Sequence, residues 1–206
     1  NPLRNGFSPR TPQAIVETML GAHARLDQRI VHSIETSGLA PACSRGCAWC
    51  CHGVKVNVSI PEALVIAGHL TIGEQDELRQ RVQTAAAQRR TLNTDELFQR
   101  GDPCPFLGQA GECRIYDVRP LACRRHCGLD ANECERAVKQ PKHKLPVQQH
   151  AAANAAGVTA AIALAAALED VGLDYRTFEL ATAVSVALQE NATEHWLSRE
   201  ALFDQA

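Results

Sequence analysis

Nine cysteines confined to residues 43–134 constrain this 206-residue chain more than any other feature. They are Cys43, Cys47, Cys50, Cys51, Cys104, Cys113, Cys123, Cys127 and Cys134, and the first four fall within nine residues. An odd count, crowded into a chain long enough to bury its own core, is unlike the even, dispersed cysteines of a small disulfide scaffold. Crowded thiols of this kind are soft ligands for zinc or iron in a reducing compartment. The chain is therefore expected to be a cytoplasmic metal-binding protein. Its cofactor is expected to be iron, as an ion or an iron–sulfur cluster, with zinc as the alternative. Residues 1–12 show no basic segment leading into an apolar one, so no signal peptide is expected. The apolar run 155–168 falls short of the roughly 20 residues of a membrane span, so no membrane partner is expected.

The spacing of the thiols carries the chemistry. Cys47-Ala48-Trp49-Cys50 is a CxxC pair, in which one turn of backbone presents two thiols to one ion. Cys43 lies four residues earlier and can join them. Cys51 directly follows Cys50, and neighbouring side chains are expected to diverge, so one of the two serves a second metal, a different iron of a cluster, or nothing. Downstream, Cys104 and Cys113 flank Gly108-Gln109-Ala110-Gly111-Glu112, a pattern that predicts a tight β-hairpin with both thiols across from each other. Arg119-Pro120 opens a short helix expected to carry Cys123 and, one turn on and on the same face, Cys127. Neither half alone offers a well-separated four-ligand set. Together they close a long loop between 43–51 and 104–127 on one site, so metal binding adds to folding free energy. The candidate metal ligands are thus Cys43, Cys47, Cys50, Cys51, Cys104, Cys113 and Cys123. His52 and His126 are adjacent nitrogens that either ligate, support a ligand or face water. Trp49 either shields the site or packs in the core.

The rest of the chain predicts helices. Thr11-Pro12 is an N-cap with proline in the first turn, and Ile15, Met19, Ala22, Leu26, Ile30 and Ile34 give an amphipathic helix over 12–37, ended by Gly38. Val54, Val56 and Val58 alternate as a short extended stretch. Ser59-Ile60-Pro61-Glu62 and Thr71-Ile72-Gly73-Glu74 are capping boxes, the second opening a helix over 72–90. Asp130 caps a short helix with Cys134, and 141–146 is a basic linker. An alanine-rich helix runs to Asp170 and stops at Gly172. Asp174 is expected to cap a helix carrying Tyr175, Phe178, Leu180, Ala183 and Val186, and 193–203 gives another. The expected fold is mainly α: one domain, a helical bundle around a small cysteine-rich knot with one short β-hairpin. Its parts are an N-terminal helix (12–42), a metal-binding core (43–140) and a C-terminal helical segment (147–206).

Charge separates along the chain. Residues 1–144 hold 19 basic and 15 acidic residues, and 145–206 hold 2 and 8. The cations Arg114, Arg119, Arg124, Arg125, Arg136, Lys139, Lys142 and Lys144 cluster beside the cysteines. They either compensate the negative charge of a thiolate-bound metal or receive an anionic ligand at 114–144. With a formal net charge of −2 and only 4% aromatic residues, nucleic acid is not an expected partner.

The run Cys43-Ser-Arg-Gly-Cys47-Ala-Trp-Cys50-Cys51, then Cys104-Pro-Phe-Leu, then Cys113-Arg-Ile-Tyr-Asp-Val-Arg-Pro-Leu-Ala-Cys123-Arg, resembles the bacterial YkgJ-like cysteine-cluster family (CxxCxxCC), zinc- or iron-chelating by description. The resemblance spans residues 43–125. It carries Cys47, Cys50, Cys51, Cys104, Cys113 and Cys123 onto the family cysteines, with Cys43 matching only across one inserted residue; Cys127 and Cys134 stand outside. It implies a metal site. A relative with the same cysteine pattern, the flagellin lysine N-methylase, is associated with an iron–sulfur cluster and S-adenosylmethionine, but this chain shows no glycine-rich nucleotide-binding segment. Three functions remain open: an iron or iron–sulfur protein in redox chemistry or metal handling, a zinc-stabilised interaction module with 114–144 as its contact surface, and an iron–sulfur transferase. Seven or more crowded cysteines favour the first, because a structural zinc needs only four.

Overall fold

The structure, a computed structural model, describes residues 11–44, 46–71 and 75–206. The first helix lies where the apolar spacing puts it. In α1 (Pro12–Ser37) the Thr11 hydroxyl accepts the Ala14 amide at 3.2 Å, and Gly38 ends the helix in the left-handed region at φ 67°. The buried face is Ile15, Met19, His23, Leu26 and Ile30, so His23 takes the interior position that the periodicity gave to Ala22.

The chain continues as β1 (Asn57–Ser59), α2 (Ile60–Thr71), α3 (Asp76–Arg89), α4 (Thr94–Arg100), α5 (Leu121–Arg124), α6 (Ala131–Lys139), α7 (Ala151–Asp170), β2 (Thr177–Glu179), α8 (Leu180–Ala187) and α9 (Ala192–Leu197). The fold is mainly α. Among the described residues the one sheet is β1 against β2, antiparallel, with Val58 opposite Phe178. Each strand runs straight into a helix, and α2 and α8 pack on each other, with α3 against α8 and α1 against α2 and α7. One hydrophobic cluster joins these elements to Phe106, Ile115, Val118 and Leu121 of the cysteine-bearing segment.

Several expectations change in detail. Residues 72–74, within the second capping box, lie outside the described residues, and α3 begins at Asp76. Tyr175 and Phe178 belong to an irregular connection and a strand, not a helix. Asp174 is occupied by the Arg176 amide at 3.0 Å and its guanidinium at 2.6 Å, and Glu179 caps α8 instead. The 104–116 segment does fold back through its glycine turn, with Gly108 donating to the Glu112 carbonyl at 2.8 Å, but a single bridge, Leu107 to Cys113, replaces a strand ladder. The run 155–168 sits in a helix of 20 residues with hydropathy 1.8, long and apolar enough to cross a membrane, contrary to the expected shortfall. In this fold that helix, α7, packs along α1 and α5.

Both strand-to-helix junctions carry a buried carboxylate. Glu62 accepts the Ser59 amide (2.8 Å), the Ser59 hydroxyl (2.6 Å) and the Leu121 amide (2.8 Å). Glu179 accepts the Ala181 and Thr182 amides (2.8 and 3.0 Å) and pairs with Arg89 at 3.1 Å, both side chains almost fully buried. Removing Glu62 strands three donors in a dry interior, each worth about 1–3 kcal/mol. Glu62→Ala is therefore expected to lower the urea midpoint by about 3 kcal/mol or more in free energy, and Glu62→Gln by clearly less because the oxygen acceptor survives.

Candidate metal centre

The loop carrying Cys43 to Cys51 is held at three points. The Ala42 amide donates to the Gly128 carbonyl at 2.9 Å. Gly111 meets Gly46 backbone to backbone: a Cβ built on Gly111 would lie 2.8 Å from the Gly46 carbonyl oxygen, and φ is +80°. Lastly, the Cys104 amide donates to the Cys51 carbonyl at 2.7 Å, the Gly53 amide to the Asp102 carbonyl at 2.9 Å, and His52 bridges Pro103. The two distant cysteine segments are thus joined by backbone before any metal is considered.

Trp49, Cys50 and Cys51 form a 3-10 turn. It brings the vicinal sulfurs together instead of letting them diverge. The Cys51 thiol hydrogen-bonds Cys50, which lowers the Cys50 pKa to about 7 and raises that of Cys51. Cys104 and Cys123 act electrostatically on Cys51, and Cys104, Cys113 and Cys50 act on Cys123, so these five thiols share one neighbourhood. Burial pushes the Cys104 thiol up to about 11 and Cys123 well above its ordinary value. Cys104 also forms part of the wall of a cleft of about 350 Å³ that includes Arg81, Arg89 and Asp102.

Cys127 does not share a helix face with Cys123, because α5 ends at Arg124. Its thiol feels Cys43 and Cys50 instead. Cys134, on α6, is buried 8% exposed and touches Gly128, whose Cβ would lie 2.9 Å from its sulfur; Cys43 donates to the carbonyl of the same glycine at 4.0 Å. All nine cysteines are free thiols. Among the described residues no three Cys, His, Asp or Glu side chains yet stand in ligating geometry around one point. The sulfurs are gathered but not aimed. Cysteine has a single side-chain rotor to its sulfur, so aiming them needs rotamer changes.

Neighbouring groups are largely spoken for. His52 Nδ1 lies 3.0 Å from the Ala48 carbonyl, the arrangement that fixes the tautomer with Nε2 as acceptor. His126 Nε2 lies 3.4 Å from Gln149 Nε2. Trp49 is half-buried, with the Lys139 ammonium 5.6 Å from its ring. Arg124, almost fully buried, spends its donors on Asp27 and the Arg119 and Asp117 carbonyls. Arg125 bonds Asn154, Lys139 pairs with Glu135, and Lys144 pairs with Asp95. Arg119 donates to the Tyr116 carbonyl at 3.2 Å, so five of the eight cations that the sequence grouped beside the cysteines have partners within the chain. His23 carries no signal in the sequence. It is 2% exposed, neither ring nitrogen has a hydrogen-bond partner, and burial together with Arg124 and Arg119 lowers its pKa to about 3, so it stays neutral.

Thiols drawn from separate loops and pinned onto a helical bundle define a metal-chelating cysteine-cluster protein. The chain belongs to the family described as "CxxCxxCC: Putative zinc- or iron-chelating domain", whose model matches residues 42–145, half of its length. No curated protein and no solved structure matches the chain.

The raised thiol pKa values make the metal-free protein sensitive to alkali. The folded state holds protons on Cys104 and Cys123 that the unfolded chain releases near pH 9. Stability is complete below that pH and falls as pH rises toward about 11, the Cys104 value. Urea midpoints of metal-free protein should thus drop between pH 8.5 and 10.5, and Cys104→Ala should flatten that drop.

Proposed function

We propose that this chain binds iron through cysteine thiolates, as an ion or an iron–sulfur cluster, and serves redox chemistry or metal handling in the cytoplasm. The observation that carries the reading is the convergence of Cys50, Cys51, Cys104, Cys113 and Cys123 in one neighbourhood, more soft donors than a structural zinc takes. Iron held there supplies one-electron chemistry at a potential set by burial and by hydrogen bonds to the sulfurs. The chain's own contribution is positional. Glu62 fixes the start of the helix bearing Cys123, and Arg89, through the Pro103 carbonyl at 2.9 Å, fixes the approach to Cys104. Cys50, with its pKa near 7, presents a thiolate at neutral pH and is suited to capture an incoming ion transiently before the other thiols close around it. Internal pairing of Arg124, Arg125, Lys139 and Lys144 leaves fewer free cations for the alternative, a zinc-stabilised contact surface at 114–144.

Anaerobic purification with metal analysis tests this. A brown protein absorbing near about 400 nm, bleached by dithionite, is expected, with Cys104→Ser and Cys123→Ser each losing the colour. A colourless protein that holds zinc tightly and takes up no iron would overturn it.

A further inference from the structure

The nine thiols divide into two groups. The inner one is Cys51, Cys104, Cys113 and Cys123. Of the other five, Cys43, Cys127 and Cys134 gather around Gly128, Cys47 acts electrostatically on Cys43 and Cys134, and Cys50 acts on thiols of both groups. Ala42 is tied to the Gly128 carbonyl by its amide, the Cys43 thiol reaches that same oxygen, Cys127 precedes the glycine, and the Cys134 sulfur packs against its Cα. A Cβ at Gly128 would lie 2.9 Å from that sulfur, so a side chain there would turn the sulfur away. Helix α6 brings Cys134 in by packing on the 3-10 turn that carries Cys50, with Lys139 over Trp49 closing the outer edge. Electrostatic influence follows the same division. Cys43 and Cys50 act on Cys127, and Cys43, Cys47 and Cys50 act on Cys134, whereas Cys104, Cys113 and Cys50 act on Cys123. Cys50 belongs to both neighbourhoods.

We propose that Cys43, Cys47, Cys127 and Cys134 form a second metal site, a four-thiolate site for a zinc- or iron-sized divalent ion, beside the inner four and separated from them by Cys50. Four is the number of thiolates that closes a tetrahedral site, and two such sets plus one intervening thiol account for all nine cysteines. Each ion taken up displaces the protons of its four thiols and leaves a tetrathiolate of net charge −2. The division also gives Cys127 a role that the helix break at Arg124 denies it in the inner group. The outer set has one thiol open to solvent, Cys43, which gives an ion a way in and out.

This inference rests on the reading of the chain as a thiolate metal protein, and counting metals separates the two. The full chain, reduced and stripped of metal, is titrated anaerobically with Co(II), whose thiolate absorption reports each site, and then with Zn(II) under elemental analysis. Two ions per chain are expected. The Cys127→Ser/Cys134→Ser variant should hold one, and Cys104→Ser/Cys123→Ser should keep the other. One ion in the wild type, unchanged in Cys127→Ser/Cys134→Ser, overturns the second site and leaves the metal reading intact. No ion at all overturns both. Alkylation of the unmutated, zinc-loaded chain guards against variants that fail to fold. Cys127 and Cys134 should be protected from iodoacetamide and become reactive when a chelator is added, and full labelling of both in the loaded protein also overturns the second site.

Discussion

Two buried carboxylates organise this molecule. Each sits where a short strand turns into a helix, Glu179 as the cap of α8 and Glu62 in the first turn of α2, and each satisfies backbone amides that would otherwise be stranded at a helix N-terminus. Each also reaches beyond its own junction. Glu62 takes the Leu121 amide, two residues before Cys123. Glu179 holds Arg89, whose other nitrogen donates to the carbonyl of Pro103, immediately before Cys104. Two of the inner thiols, Cys104 and Cys123, are therefore located by the polar joints of the helical bundle. A buried ion pair adds little net stability against a well-packed apolar substitute, but breaking one is strongly destabilising. Its value here is registration: it sets the cysteine loops at a defined height on the bundle.

The cysteine loops are the converse case. Their backbone is fixed at Ala42–Gly128, Gly46–Gly111 and Cys51–Cys104, while their side chains retain rotamer freedom. A centre whose backbone is pre-set but whose sulfurs are not yet aimed loses little entropy on closing around an ion, because only one dihedral per ligand remains to be fixed. The same economy explains the glycines at 111 and 128. Gly111 stands where two segments meet too closely for a side chain, and a side chain at Gly128 would turn the Cys134 sulfur away.

Much of this was legible in the sequence, for local reasons. The limits of α1 follow from Thr11-Pro12 and Gly38, and the mainly helical class follows from the periodicity. The motif cysteines identify the family segment. Other features were readable but passed over: Asn93 and Glu96 form a reciprocal capping box that opens α4, with Gly101 ending it. What the sequence could not give depended on distant partners. The strand character of Thr177 to Glu179 comes from pairing with β1. Burial of His23 depends on which side of α1 meets α5. The helical placement of Cys127 failed because α5 stops after one turn, and no residue near Arg124 announces that stop. Spacing alone counted thiols; only the packing of α6 on the Cys50 turn shows which of them are neighbours.

The pairing of Val58 with Phe178 bears on how the chain is born. Synthesis runs from the N-terminus, and every cysteine leaves the ribosome before β2 exists to complete the sheet or α8 to cover α2 and α3. The thiols are then carried by a nascent chain whose apolar core is incomplete, at the stage when oxidation or capture by the wrong ion is easiest. Loops closed by backbone contacts near in sequence, such as Gly108 to Glu112, can form early, but the Glu179–Arg89 joint beside Cys104 cannot. Maturation of the inner thiols thus ends with the last third of the protein, which contains no cysteine of its own.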